Sequence, residues 1–136
     1  MKKLPFLLAT FFLVQMGAWS SSELPDLKNP YEGNKQAIKE GRKLWFKYGC
    51  NGCHGGGGGG GMCPPVINDI WVYGNSDAVL HELIKLGSVE LRKKYGLQRI
   101  GKERIVGDMP PFSALSDDEI WKLITYIRSR KPKEED

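Results

Sequence analysis

Five consecutive residues, Cys50-Asn51-Gly52-Cys53-His54, constrain this chain more than any other feature of its sequence. Two cysteines separated by two residues and followed at once by a histidine form the attachment motif of haem c. The spacing lets the thiols of Cys50 and Cys53 add to the two vinyl groups of one porphyrin, and it leaves His54 as the proximal iron ligand. The motif therefore predicts that one covalently bound haem c becomes part of the hydrophobic core.

The same cysteine spacing also occurs in sites of other kinds. A C-x-x-C pair alone suits a thioredoxin-like redox pair, and Cys50, Cys53, His54 and Cys63 together would be a legitimate ligand set for zinc. The adjoining histidine favours haem, and so does a methionine followed by two prolines at residues 109–111. A zinc module would leave unexplained both this methionine segment and the apolar N-terminal leader at residues 1–20.

The methionine segment is Asp108-Met109-Pro110-Pro111-Phe112. The two prolines make it stiff and non-helical, so it can hold a thioether in a fixed position just before the last predicted helix. A methionine at an arbitrary position is most often core filler. In this place, well after His54, Met109 is predicted to be the distal ligand of the haem iron.

The N-terminus has the features of an export signal. A basic start at Met1-Lys2-Lys3 precedes an apolar run, and Ala18-Trp19-Ser20 has the small-x-small form of a cleavage site. We therefore expect residues 1–20 to be a cleaved signal peptide and the mature protein to be periplasmic. The apolar run is short for a membrane span, so we expect membrane association only if the leader is retained.

The charge of the chain does not indicate a nucleic-acid partner. The formal net charge is +4, and loss of Lys2 and Lys3 together with two haem propionates would bring the working protein close to neutral. A strongly basic face of the kind that binds nucleic acid is therefore not predicted.

Apolar periodicity predicts helices along most of the mature chain. Residues 21–33 are polar with two prolines and read as an extended lead-in. Asn34, Ser76 and Ser116 are predicted N-caps, the last within a capping box with Glu119. The first helix is expected to end near Gly49, and Gly87 is expected to stop the second, with one short further helix after it.

Several glycines and charges allow more than one interpretation. Gly41 lies within the buried face of the first helix, where it either permits close approach of another helix or is simply tolerated. The seven glycines of residues 55–61 are expected to form a flexible loop at the edge of the haem. The basic stretch at residues 92–104 is either a solvated face or a docking surface for an acidic partner.

The order of these parts resembles the class I c-type cytochromes over residues 34–130, with a disordered tail at 131–136. The resemblance implies an all-α fold of three to five short helices around one covalent haem. It also implies that the first and last helices cross closely, at Gly41 with Trp45 or Phe46. A proline carbonyl, for which Pro64 fits, would accept the Nδ1–H of His54. Trp71, Tyr73 and Phe112 are expected to wall the haem crevice.

A narrower resemblance concerns residues 59–87. They are similar to the cytochromes that take electrons from periplasmic quinoprotein alcohol dehydrogenases, including methanol dehydrogenase. Cys63 departs from that pattern, in which glycine is expected, and we interpret it as a free thiol or as the site of an intermolecular disulfide. The implied partners are redox proteins, with such a dehydrogenase as donor and an oxidase as acceptor.

Ligation by His54 and Met109 predicts a carrier of electrons and not an enzyme, because six-coordinate iron has no open position for a substrate. Two alternatives remain at this point. The chain could be the haem c subunit of a membrane-anchored respiratory complex, or a haem enzyme or gas sensor with a displaceable Met109. His81 could then be a ligand, but a single histidine on a helix is expected at the surface.

Overall fold

The computed structural model describes residues 22–100 and 107–131. Within these residues the chain forms four helices and no strand: α1 (Lys35–Lys47), α2 (Cys50–His54), α3 (Asp77–Tyr95) and α4 (Asp117–Ser129). The all-α prediction is therefore confirmed. The predicted signal peptide, most of the predicted disordered tail, and Lys102 and Arg104 of the basic stretch lie outside the described residues.

The three predicted N-caps are confirmed. The Asn34 side chain accepts hydrogen bonds from two backbone N–H groups of α1, and the Ser76 hydroxyl accepts one from Val79. Ser116 accepts from the backbone of Glu119, whose carboxylate accepts in turn from the backbone of Ser116. Each such cap typically stabilises a helix by about 1 kcal/mol, so these boundaries are determined locally.

Helices α1 and α4 cross at Gly41. A Cβ atom on Gly41 would lie 2.0 Å from the carbonyl oxygen of Lys122 and 2.8 Å from Cβ of Tyr126, so the backbones touch only because residue 41 has no side chain. Trp45, 2% exposed, packs beside this contact with its ring centroid 5.9 Å from that of Tyr126. Phe46 is 44% exposed. The close-approach interpretation of Gly41 is confirmed, and Trp45 is its aromatic partner.

Helix α3 kinks at Gly87, where φ is 75° and ψ is 167°. This is a region of backbone conformation that only glycine adopts readily. The expected stop at Gly87 and the expected short helix after it are thus two halves of one kinked element. No described helix is both long and apolar enough to cross a bilayer.

The expectation that His81 is a surface residue is wrong. His81 is 3% exposed, and its ring lies 4.5 Å from that of Trp121, because this side of α3 faces α4. The neighbouring Glu82 is also buried and accepts hydrogen bonds from the hydroxyl of Tyr95 at 2.5 Å and from Lys94 at 3.3 Å. Burial alone would raise the pKa of Glu82, but the hydrogen bonds from Tyr95, His81 and Lys94 outweigh it and lower that pKa.

The glycine run at residues 55–61 forms hydrogen-bonded turns. The N–H of Gly60 donates to the carbonyl of His54 at 2.8 Å, and that of Val66 donates to the carbonyl of Gly58 at 2.8 Å. A Cβ atom on Gly58 would lie 2.8 Å from the Val66 side chain. The run therefore packs against the segment that follows it and continues directly from the Cys50–His54 helix.

Candidate haem site

A mostly apolar cavity lies among α1, α3, α4 and the two proline-bearing loops. It opens to solvent at one side and is lined mostly by apolar side chains, as sites for small molecules and cofactors usually are. Leucine and isoleucine side chains of α3 and α4 form much of its wall. The predicted site residues that line it are Cys50, His54, Pro64, Trp71, Tyr73 and Met109.

His54 is held in one orientation at the end of α2. Its Nδ1 lies 2.7 Å from the carbonyl oxygen of Pro64, and because a carbonyl can only accept, Nδ1 carries the proton. The bond that the resemblance implied is present, and it leaves the lone pair on Nε2 available for a metal. Trp45 packs beside the imidazole, with ring centroids 5.9 Å apart.

The three cysteines lie close together at one side of the cavity. Cys50 is 7% exposed, and burial is the main cause that raises the pKa of its thiol. Cys53 is half-buried and lies outside the described lining. Its carbonyl accepts from the N–H of Cys63 at 3.1 Å. Burial, and then the neighbouring Cys53, raise the pKa of Cys63 to about 11, so Cys63 remains a protonated thiol at neutral pH.

The Met109 loop packs against the kink of α3. The backbone N–H of Met109 donates to Oγ of Ser88 at 3.0 Å, and its carbonyl accepts from the N–H of Ser88 at 2.9 Å. A Cβ atom on Gly87 would lie 2.7 Å from the carbonyl oxygen of Met109 and 2.8 Å from the nitrogen of Pro111. The missing side chain at residue 87 therefore lets the loop pack against α3 with Met109 among the residues that line the cavity.

Asp108 fastens the same loop from its other side. It accepts from the hydroxyl of Ser88 at 2.8 Å and from Arg92 at 2.6 Å. Arg92 also donates to the hydroxyl of Tyr73 at 2.8 Å, which ties the loop to the cavity wall. The hydrogen bond from Arg92, followed by that from Ser88, lowers the pKa of Asp108 to about 2.

Sequence reasoning missed the positioning role of Ser88, Arg92 and Asp108. Only the position of Asp108, directly before Met109, could have suggested it. The structure also does not place Phe112 in the described cavity lining. Its backbone N–H donates to the carbonyl of Ile84 at 3.0 Å, and its ring packs half-buried against the main core.

The cavity has the chemistry that a haem requires. It combines apolar walls with an imidazole nitrogen and a methionine thioether. Among the described residues, the indole N–H groups of Trp45 and Trp71 are buried without an acceptor, and both side chains line the cavity. Such donors suit an apolar macrocycle that carries carboxylates. In the same described part of the chain, no group of three or more His, Cys, Asp or Glu side chains is placed to hold a metal ion.

The fold and this site define a class I c-type cytochrome. Residues 36–127 match the family described as cytochrome c oxidase, cbb3-type, subunit III, and because the match covers more than half of the chain, the chain belongs to this family of c-type cytochrome domains. It is thus a haem-binding, electron-transfer protein. No curated protein sequence matches it.

A solved structure shares the fold. Cytochrome cL from the marine methylotrophic bacterium Methylophaga aminisulfidivorans MPT is 28% identical, with a TM-score of 0.55. The alignment covers 75% of this chain and 60% of that protein. The match therefore extends over little more than half of cytochrome cL, although it includes most of the chain described here.

Proposed function

We propose that this cytochrome is an exported, periplasmic carrier of single electrons. One haem c would be bound covalently through Cys50 and Cys53, with His54 and Met109 as ligands of its iron, and it would supply an iron that alternates between two oxidation states. The observation that carries the proposal is that His54 and Met109 line one cavity, where the His54 ring is hydrogen-bonded to the carbonyl of Pro64 and the backbone of Met109 to the hydroxyl of Ser88.

The way in which the protein holds His54 and the Met109 loop favours electron transfer over catalysis. Pro64 holds the His54 ring and Ser88 holds the backbone of Met109, so little rearrangement of these two segments would accompany a change in the oxidation state of the iron. A weakly donating thioether and an apolar wall that excludes water both favour the reduced form. If His54 and Met109 both bind the iron, no open position would remain for a substrate, which supports the function of a carrier over that of an enzyme.

We further propose that the electron donor is a periplasmic quinoprotein methanol or alcohol dehydrogenase and that the acceptor is an oxidase. The similarity of residues 59–87 to cytochromes of this kind supports the donor, as does the identity shared with a cytochrome cL from a methylotroph. Ile70 lines the cavity and is 50% exposed, so it presents apolar surface where a partner can approach the haem. Electron-transfer contacts are typically small and transient.

Two measurements on the haem-loaded protein test the proposal. The Met109→Ala variant should lose the far-red absorption of ferric iron bound to methionine sulfur and should have a lower potential, whereas Met62→Ala, at a residue 64% exposed, should match the unchanged protein. Rapid mixing with a reduced quinoprotein methanol dehydrogenase should reduce the cytochrome. Retention of the far-red band in Met109→Ala would refute the ligand, and failure of reduction would refute the donor alone.

One alternative function has specific support. The family description names a subunit of a cbb3-type oxidase, so the chain could instead be the haem subunit of a membrane complex, with its leader retained as an anchor. N-terminal sequencing of the protein from its native cells decides between the two. A mature chain that begins at Ser21 supports the periplasmic carrier, and an intact leader in the membrane fraction supports the subunit.

A further inference from the structure

The solvent-facing side of α1 carries five cations without an acidic partner. We call this surface the α1 basic face. All five side chains are exposed, and within the described part of the chain none has a carboxylate partner. Two of them lie over aromatic rings instead: Arg42 is 5.2 Å from the ring of Phe46, and Lys47 is 5.1 Å from that of Tyr48. The face consists of Lys35, Lys39, Arg42, Lys43 and Lys47.

Cations elsewhere on the described residues are arranged differently. Apart from the α1 basic face, only Lys28 and Arg130 among them lack a carboxylate within 4 Å. The basic stretch that the sequence suggested for docking has Arg92 and Arg99 bound to Asp108, at 2.6 Å and 3.3 Å. Its described arginines therefore hold the fold together, and among the residues that the structure describes the unpaired positive charge is concentrated on α1.

The stability of α1 does not explain this arrangement. Lys35, Lys39, Lys43 and Lys47 follow one another at intervals of four residues, where like charges repel along a helix. Lys35 lies in the first turn, which contains no acidic residue, and a cation there opposes the helix dipole. Attraction to an external anionic surface would offset both unfavourable contributions.

We propose that the α1 basic face binds the anionic surface of a phospholipid bilayer. The ladder of lysines is about 18 Å long at 1.5 Å per residue, and it presents charge along a helix as a lipid surface requires. Phe46 lies within the face and is 44% exposed, so its ring can enter the headgroup region. This inference does not depend on the identity of the redox partner.

The position of the face favours a membrane over an electron-transfer partner. The opposite side of α1 is buried: Ala37 and Trp45 are each 2% exposed, and Trp45 lines the cavity. A protein bound to the α1 basic face would therefore be separated from the cavity by the helix itself. A bilayer bound there leaves the rim near Ile70 free, so the cytochrome can remain on the membrane while a partner reaches the haem.

Binding of the haem-loaded protein to vesicles at low ionic strength tests this proposal. We expect sedimentation with vesicles of phosphatidylglycerol and phosphatidylcholine in equal parts, but not with phosphatidylcholine alone. Each cation at such a surface contributes about fivefold in affinity, so Lys39→Glu with Lys43→Glu should weaken binding at least about 25-fold. Lys28→Glu with Lys93→Glu changes the net charge equally and should retain most of the binding. Unchanged circular dichroism and haem spectra establish that both variants are folded.

Three results would overturn the proposal. Equal losses in the two double variants would show that net charge, and not this face, attracts the protein. Equal binding to phosphatidylcholine alone would remove the role of lipid charge. Absence of vesicle binding, with slower reduction by an acidic redox protein only in the Lys39/Lys43 variant, would assign the face to a protein partner. The haem spectrum is independent of all three, so the electron-carrier function is tested separately.

Discussion

Replacement of Gly87 by alanine should disturb the methionine ligand without removing the haem. Gly87 has φ of 75° and ψ of 167°, and a Cβ atom there would lie 2.7 Å from the carbonyl oxygen of Met109 and 2.9 Å from the carbonyl carbon of Pro110. The atoms that it meets are backbone, in a segment that two prolines make stiff. They cannot rotate away as a side chain could, so the whole Met109 loop must shift.

The size of the effect follows from two contributions. An alanine in this glycine-only region of backbone conformation costs about 1–3 kcal/mol, and the steric overlap costs about 1–3 kcal/mol more. Gly87→Ala should therefore lower the free energy of unfolding by about 2–6 kcal/mol, measured by denaturant titration. The covalent attachment through Cys50 and Cys53 should persist, so reduced c-type bands should remain while the far-red band of the oxidised protein weakens or disappears.

Gly33→Ala is the matched control. Gly33 has φ of 72°, but a Cβ atom there would have no neighbour within 4 Å. The Gly33→Ala variant should lose about 1–3 kcal/mol of unfolding free energy from backbone strain alone, and it should keep the far-red band. If Gly87→Ala also retained that band at full strength, the contact between residue 87 and the Met109 loop would not position the ligand, and our reasoning about the α3 kink would be refuted.

Three further predictions concern the core, the third cysteine and acid stability. Gly41→Ala gains about 1 kcal/mol of helix propensity but sets a Cβ atom 2.0 Å from a backbone oxygen of α4. It should therefore cost at least about 2 kcal/mol net in denaturant titration, whereas Gly56→Ala, with open space at Cβ, should change stability by less than about 0.5 kcal/mol. Cys63→Ser should leave the oxidised and reduced spectra unchanged, and an altered spectrum would show that the thiol contributes to the site. The lowered pKa of Glu82 means that its ionised form stabilises the fold above its ordinary pKa of about 4.3 and that this contribution is lost as the pH falls below that value. In Glu82→Gln the free energy of unfolding should therefore fall less steeply as the pH drops below this value. An equally steep fall in the variant would show that other groups cause the loss of stability in acid.

Features that depend on local chemistry could be predicted from the sequence. The caps at Asn34, Ser76 and Ser116 require only neighbouring residues, and each is present. Gly41 was ambiguous for a physical reason: whether a helical glycine is tolerated or required depends on what faces it, and α4 is distant in sequence. The choice between Trp45 and Phe46 was undecided because adjacent apolar residues project about 100° apart and either could have faced the core.

In the candidate site, too, the features set by neighbouring residues could be predicted and those set by residues distant in sequence could not. Cys50, His54 and Met109 belong to short motifs, and the structure brings all three to one cavity. The hydrogen bonds by which Ser88, Arg92 and Asp108 hold the Met109 loop could not be predicted. They depend on how the kink of α3 packs against that loop, which lies about twenty residues further along the chain. The burial of His81 could not be predicted for a similar reason, because His81 packs against Trp121, which is distant in sequence.

The absorption spectrum of the protein made in a host that attaches haem c tests the central claim most directly. We predict sharp reduced c-type bands together with a weak far-red band in the oxidised state, which reports methionine sulfur on ferric iron. Both signals together would establish attachment through Cys50 and Cys53 and ligation by Met109. A c-type spectrum that lacks the far-red band and responds to carbon monoxide would contradict the assigned ligand, and a protein that binds zinc and no haem would contradict the whole account.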